Sequence, residues 1–395
     1  MSVNSMDIVD IRQVLNSVFQ QATGHASIAP TSTYEFVSMA NTALATGTDK
    51  VYGALMGQIT KTVFAVRPYD RKFKGLLADN ERWGAITRKI SFADRDLAFD
   101  EKVFHPIDGQ SVDHWVQHKA DPVEMRYYGA DAYQDVITIY EDQLYEAFTS
   151  EAALGSFLTA QMQNMSNKWE QYLENLARAA MANFIGAKAY GETDLGYTDG
   201  VVHLLTEYNT DSGQNLSATD IYQEAYMAAF FRWARARVNT LARDMAERSE
   251  LFQFPIAGKQ LNRHTPAADL KIYLSAPALD KIDTMVNTVT YHDEPLAYAD
   301  TEGVNYWQSI KTKDEVQVDA GYIDAAGLPF NTGNVTVSPI FGLMFDRDAI
   351  ITNIRQYNMA NTPMNARGRY YNTWLTALTQ YCNDLTEKGV LLLLD

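Results

Sequence analysis

The sequence predicts an α+β fold organised on one long helix, and three observations predict it. From Glu151 to Tyr190 apolar residues recur in steps of three and four, at Leu154, Leu158, Met162, Met165, Trp169, Tyr172, Leu173, Leu176, Ala180 and Phe184. That spacing draws one stripe along a helix, and no proline interrupts it. Ile86, Arg88, Ile90 and Phe92 alternate with Thr87, Lys89 and Ser91, which is the period of a strand. Val390–Leu394 is five apolar residues without alternation, the pattern of a strand buried on both faces.

A chain of 395 residues has length for two or three domains and a real core. With 46% hydrophobic and 21% charged residues it reads as an ordinary folded protein. The formal net charge is −16, which argues against a tight, non-specific grip on a nucleic-acid backbone, since that needs a basic surface. The single cysteine, Cys382, excludes an internal disulfide and fits a reducing compartment. The opening MSVNSMDIVDIRQV lacks a basic segment followed by an apolar run, so no signal peptide is expected. The longest pure apolar run is too short to cross a bilayer.

Taken in order, residues 1–50 are polar, with helical spacing only at Ile8, Ile11, Val14, Leu15 and Val18. They read as an arm needing a neighbour to lie on, or else as a helix and loop docked on their own domain. The apolar stretch LMGQITKTVFAV follows and leads into the charged segment. Between Arg67 and Lys102 stand nine Lys or Arg and seven Asp or Glu, finely mixed. Such a segment cannot make its own core, yet it carries a strand pattern. A two-stranded β-loop projecting onto a neighbouring molecule satisfies both facts, and a solvated hairpin is the alternative. Turns are expected at Asn80–Gly84 and Asp94–Asp96. Residues 51–135 are read as this loop region.

The long helix has Thr149 and Ser150 as candidate N-caps and Gly186 or Gly191 as candidate left-handed stops. At ~1.5 Å per residue it would run roughly 55 Å, several times the usual length. Gly191–Gly200 then reads as a link and Val201–Thr206 as a short strand. Ser217 with Asp220 resembles a capping box opening a second helix to about Ser249, with Ile221, Ala225, Ala229, Phe230, Trp233, Val238, Leu241 and Met245 inward. Arg232, Arg235, Arg237, Arg243 and Arg248 lie on or beside its outer face. They would meet phosphate or a partner's carboxylates, or else form a solvated face with i,i+4 pairs. Leu270–Ser275 is a strand and Pro277–Val289 a helix. Further strands are expected at Tyr306–Ile310, Glu315–Tyr322, Val335–Val337, Ile340–Phe345, Tyr370–Tyr381 and Gly389–Leu394.

No convergent chemistry emerges. The nucleophile-elbow, phosphate-loop, dinucleotide and zinc-protease signatures are missing from the sequence. His114 and His118 stand four apart, a zinc spacing only on a helix and without a further ligand nearby. Cys382 has no basic neighbour in an apolar strand, which suits a buried structural thiol better than a nucleophile. Catalytic, cofactor and metal sites are therefore all expected to be absent, and a chain this long without them leans toward a structural role.

The order of charged β-loop, long helix, mixed α/β region and returning strands resembles the major capsid protein of tailed bacteriophages, the Hong Kong 97-like fold. The residues carrying the resemblance are FAVRPYDRKFK (Phe64–Lys74), the helix Glu151–Tyr190, and the ending GLMFDRDAI (Gly342–Ile350) through NARGRYYNTWLTALTQY (Asn365–Tyr381) to GVLLLL. The ending is most similar to those of short-tailed phages. The resemblance implies an N-terminal arm over 1–50 and an extended β-loop over 51–135. It implies a peripheral domain over 136–205 and 336–395, with spine helix 151–190, and an axial domain over 206–335. It further implies hexamers and pentamers of this chain in an icosahedral shell around double-stranded DNA, assembled in the bacterial host cytoplasm.

Within that resemblance Arg67, Arg71, Lys72, Lys74, Arg82, Arg88 and Lys89 are the expected subunit-interface residues. About fifty residues before the loop are too few for a cleavable scaffolding segment, so a separate scaffolding protein is expected, with a portal protein as a further partner. Some family members cross-link a loop lysine to an asparagine. Lys72, Lys74 and Lys89 are loop lysines, but no motif marks a partner, and no cross-link is expected. The acidic charge suits a container wall along which DNA must slide. An encapsulin-like nanocompartment of the same fold and an acidic cytosolic enzyme are the alternatives.

Overall fold

The structure is a computed structural model. It describes residues 8–25, 29–65, 72–76, 86–94, 107–109, 115, 117, 119–128, 131–256, 259, 261–287, 300–324 and 326–395. Three helices come first, α1 (Ile8–Thr23), α2 (Thr33–Ala45) and α3 (Thr48–Ala65), followed by the antiparallel strands β1 (Ile86–Phe92) and β2 (Pro122–Tyr128). Strand β3 (Asp131–Tyr140) and the short α4 (Glu141–Ala147) lead into α5 (Glu151–Leu195), the long helix. Then follow β4 (Val201–His203), α6 (Leu204–Ser212), α7 (Glu224–Ala246), β5 (Leu270–Ser275), α8 (Ala276–Asn287) and β6 (Asp300–Val304). The chain continues through β7 (Val316–Ile323), β8 (Pro329–Val337), β9 (Ile340–Asp346), β10 (Ile350–Asn361), β11 (Tyr370–Asn383) and β12 (Gly389–Leu393).

Helix α5 is 45 residues long, so at ~1.5 Å per residue it spans roughly 68 Å. Ser150 caps its start, the hydroxyl accepting from the Ala153 N–H at 3.2 Å. It ends at Leu195, five residues beyond the expected Tyr190, and Gly196 follows with a φ of 76° that supplies the left-handed stop. Gly186 and Gly191, the expected stops, lie inside the helix instead. A Cβ on Gly186 would overlap Val318 of β7, and one on Gly191 would overlap the Phe254 ring. These glycines serve close packing, which a sequence pattern cannot separate from a helix end.

Two cores grip the two halves of α5. Its first half carries Leu154, Leu158, Met165 and Trp169 into a cluster with Leu15 of α1, Phe36 of α2, Leu55 of α3, and Ile139 and Leu375 from β3 and β11. Among the described residues, 8–25 and 29–50 give α1, α2 and the start of α3, packed on their own domain, which is the alternative reading of this stretch. The apolar stretch from Leu55 belongs to α3 as far as Ala65. Helix α2, with no strong stripe, is held by Phe36, Ala40 and Ala43 packing under its neighbours, a tertiary effect that outweighs its weak pattern.

The second half of α5 carries Ala180, Met181, Phe184 and Ile185 against one face of a five-stranded sheet of order β4-β12-β9-β5-β6. Helices α6 and α7 cover the other face with Tyr208, Phe230, Val238 and Leu241. β12 is central, parallel to β4 and antiparallel to β9. Its Leu391 and Leu393 enter the α5 side, and Val390, Leu392 and the following Leu394 the other. The missing alternation therefore marked a strand buried on both faces, as expected. In this sheet β9 and β12, from the segment expected as peripheral, hydrogen-bond beside β5 and β6, from the segment expected as axial. An apolar run shows that a strand is buried, but not which sheet it joins.

Other expectations fall differently. Only Val201–His203 of 201–206 is a strand, and α6 begins at Leu204. Ser217 and Asp220 do bond, N–H to Oδ2 at 2.9 Å, but they open a 3-10 turn over Asp220–Tyr222. Helix α7 starts only at Glu224, which leaves Ala225 and Ala229 exposed and puts Phe231, Ala234 and Ala242 inward. Tyr306–Ile310 is not a strand; β6 lies just before it. The turn Asn80–Gly84, Arg95 and Asp96 of the second expected turn, and His114 with His118 lie outside the described residues.

Candidate assembly surfaces

The β1–β2 ribbon has two unlike faces. Lys89 and Ser91 on β1, with Val123 and Met125 on β2, turn toward the chain's own body. Val123 and Met125 pack on Ile256 and Leu261. Ser91 Oγ accepts from Arg263 at 2.7 Å. Lys89 Nζ reaches Asp384 at 2.6 Å and Glu387 at 2.5 Å in the turn between β11 and β12. Burial opposes the Lys89 charge, but those two carboxylates outweigh it and raise the pKa. The same burial pushes the Glu387 carboxyl above its ordinary range, and Lys89 only partly offsets it. Asp94 beyond β1 accepts from Arg248 and from the Asn262 N–H, and Lys259 pairs with Asp121 before β2 at 2.6 Å.

The ribbon's other face points away. Ile90 and Phe92 are 56% and 62% exposed, beside exposed Pro122, which pairs with Phe92 in register. Its charges are settled among themselves: Glu124 accepts from Arg88 at 2.6 Å and from Arg126 at 2.8 Å. Hydrogen bonds from Arg126 and Arg88 hold the Glu124 carboxyl down to about 2.

The second surface is the three-stranded sheet of order β10-β11-β3. Its inner face lies on the helices, where Tyr52 stacks on Tyr371 at 4.5 Å and Tyr172 bonds Thr379 at 2.6 Å. Its outer face presents Gln134, Val136, Thr138 and Tyr140 from β3, Tyr370, Asn372, Trp374, Thr376 and Leu378 from β11, and Asn358 and Ala360 from β10. None of these described side chains is charged, in a chain where 21% of residues are. Val136 sits opposite Trp374 and Tyr140 opposite Tyr370, and Val136, Tyr140 and Trp374 are 41%, 53% and 36% exposed. The polar members bond across strands, Thr138 to Asn372 at 2.7 Å and Gln134 to Thr376 at 3.2 Å. The face is a flat, neutral, half-apolar platform, the kind of patch that marks an interaction site.

Of the sequence-expected interface residues, Arg88 lies on the outward ribbon face and Lys89 on the inward one. Lys72 donates to the Gly303 carbonyl at 3.4 Å, and Lys74 is exposed in a short 3-10 turn over Lys74–Leu76. Arg67, Arg71 and Arg82 lie outside the described residues. Those expected residues are all charged, and the exposed apolar residues of the two surfaces, Ile90, Phe92, Val136, Tyr140 and Trp374, are not among them. The signal was there, in the uncharged alternation of YYNTWLTAL.

Of the five arginines on or beside α7, Arg232 and Arg243 are exposed, as a solvated face would have them, while Arg237 and Arg248, the latter just beyond the helix, pair with other elements. Arg237 makes a two-pronged bond to Glu207 of α6 at 2.7 and 2.9 Å, and Arg248 pairs with Asp94. Both cross between elements rather than forming i,i+4 pairs. Cys382 is buried, as expected. Among the described residues no group of three or more His, Cys, Asp or Glu could hold a metal ion, and no helix is long and apolar enough to cross a membrane.

A long helix shared by two cores, with a docked two-stranded ribbon and a three-stranded sheet whose outer face is exposed among the described residues, is the architecture of the tailed-phage capsid fold. It superposes on a chain of the capsid structure of Staphylococcus phage Andhra with a TM-score of 0.51 and 10% identity, over 82% of this chain and 84% of that one. A chain from the structure of head fiber and inner core protein gp22 of native bacteriophage P68 gives 0.52 and 12%, over 82% and 85%. No curated protein matches by sequence. The chain belongs to the Phi29-like phage major capsid protein family, whose model matches residues 14–391. It is a structural subunit of a phage capsid.

Proposed function

We propose that copies of this chain assemble as hexamers and pentamers into an icosahedral shell that encloses double-stranded DNA, built in the host cytoplasm. A separate scaffolding protein and a portal protein complete the machinery. The observation that carries this reading is the uncharged outer face of the β10-β11-β3 sheet. It leaves Val136, Tyr140 and Trp374 half in water, and covering them on a second copy removes that cost. The outward ribbon face is its natural counterpart, since Ile90, Phe92 and Pro122 are apolar and the Arg88–Glu124–Arg126 charges already compensate one another. A neutral platform need supply no partner charge. Contacts between unlike patches of identical subunits are the kind that build rings and closed shells. The segment Arg67–Lys74 and Arg82 contribute to the same contact, and the sheet with β10, β11 and β3 forms the peripheral domain. The −16 charge keeps the wall from binding DNA by counterion release.

The test is the pair Val136→Arg and Trp374→Arg, made together. Circular dichroism should report a folded subunit, while velocity sedimentation and negative-stain microscopy should find no closed shells. Normal shells from the double variant would remove the sheet face from the contact. Nuclease-resistant double-stranded DNA inside shells purified from infected cells separates the phage head from an empty or protein-filled nanocompartment.

A further inference from the structure

His203, at the end of β4, stands between two carboxylates. Its Nδ1 lies 2.6 Å from Asp395 Oδ1, and its Nε2 lies 2.8 Å from Glu192 Oε1. An ionised carboxylate only accepts, and a neutral imidazole has one N–H to give. Both bonds exist together only if both ring nitrogens carry protons. The two acids come from different elements: Glu192 from the last turn of α5 and Asp395 from the residues after β12. The main-chain oxygen of Asp395 is held separately, by the Thr206 N–H at 3.1 Å and the Thr206 hydroxyl at 3.0 Å.

We infer that His203 is an imidazolium that bolts the end of β12 to the end of the spine helix, and that raising the pH releases this bolt. The groups facing the ring support it. Burial works against the charge, but the hydrogen bonds and charges of Asp395 and Glu192 outweigh it and raise the His203 pKa above its ordinary value. The sign follows from linkage: a histidine whose pKa is raised in the folded state contributes its full stability below the unfolded value near 6.5 and loses it as pH climbs through the folded value. The place gives the release a meaning. Leu391, Leu393 and Leu394 of this same segment lie in the two cores beside it, so loosening the bolt frees the end of an interior strand of the sheet rather than a surface loop.

The experiment is solid-state nitrogen-15 spectroscopy of histidine-labelled protein, in assembled or sedimented form, with His203 assigned by difference against His203→Gln. Both ring nitrogens should be protonated at about pH 6.5, where an ordinary imidazole is half titrated, and one should lose its proton as pH is raised further. A half-deprotonated ring at that pH would overturn the inference. Melting is the second readout. The variant should melt lower than the parent by roughly 2 °C at pH 6, and the two should converge as pH is raised through the folded-state value. A gap that does not change with pH refutes the release even if the ring is charged.

Discussion

Lys89 Nζ lies 2.6 Å from Asp384 Oδ2, a bond that ties the charged ribbon to the turn of its own subunit. Asp384 is buried and its other oxygen accepts from Thr386, so the turn is built around this carboxylate. Arg88, one residue earlier, faces out. The two neighbours should therefore fail differently. Lys89→Ala removes the ammonium from Asp384 and leaves Glu387 only Arg263 at 3.5 Å, and should cost about 2–3 kcal/mol of subunit stability, less than a fully buried pair because Lys89 is partly solvated. Arg88→Ala should leave urea unfolding unchanged within about 0.5 kcal/mol. Equal midpoints for the two variants would contradict the inward placement of Lys89.

Ile90→Asp with Phe92→Asp tests the ribbon's outward face. Neither side chain is in a core, so the subunit should stay folded by near-ultraviolet circular dichroism and should sediment as a small species. If this variant still closes shells, the ribbon does not meet its neighbour through that face.

Gly191→Ala sets helix propensity against packing. On an open helix the change would stabilise by about 1 kcal/mol. Here the added methyl meets the Phe254 ring, and overpacking of this kind costs about 1–3 kcal/mol. A net loss of stability is expected, and a gain would show that the helix and the 250–256 segment separate easily.

Lys188 is fully buried on α5, its Nζ donating to the Phe252 carbonyl at 2.8 Å and lying 5.0 Å from the Phe254 ring centre. Burial drives its pKa down to about 7, with Asp199 and Asp384 pulling the other way. The unfolded chain keeps that proton up to about pH 10.4, so it binds more protons than the folded one above pH 7, and stability rises with pH there. Lys188→Met should be as stable as the parent or better by about 1–3 kcal/mol at pH 7. Its advantage should shrink between pH 7 and 9 in urea titrations. Parallel pH profiles for the two proteins would show that Lys188 does not titrate in that range.

Much of this molecule was readable because burial writes itself into periodicity. Trp169, Leu173 and Phe184 fall on the stripe that packs, and the unbroken run at Val390 is the centre of a sheet. What resisted reading depends on partners distant in sequence. Gly186 and Gly191 look like stops until Val318 and Phe254 are placed beside them. Lys89 looks like a surface charge until Asp384 arrives from nearly three hundred residues away. The candidate surfaces were hidden by the same logic, since an uncharged strand face next to a charged loop draws less notice than the charges do.

The pairing of β3 with β11 joins Thr138 to Asn372 across 234 residues, and the sheet around β12 closes over a comparable span. Ordering such a loop costs entropy before any ladder bond rewards it, and folding slows as contacts become less local. Helices α1 to α5 can form early, but the platform made by β3, β10 and β11 exists only once the far end of the chain has returned. If that platform is the contact proposed above, a newly made subunit has no complete face to offer a neighbour until its most distant strands have paired. The topology then works as a clock, with the native sheet acquired before a partner can be met.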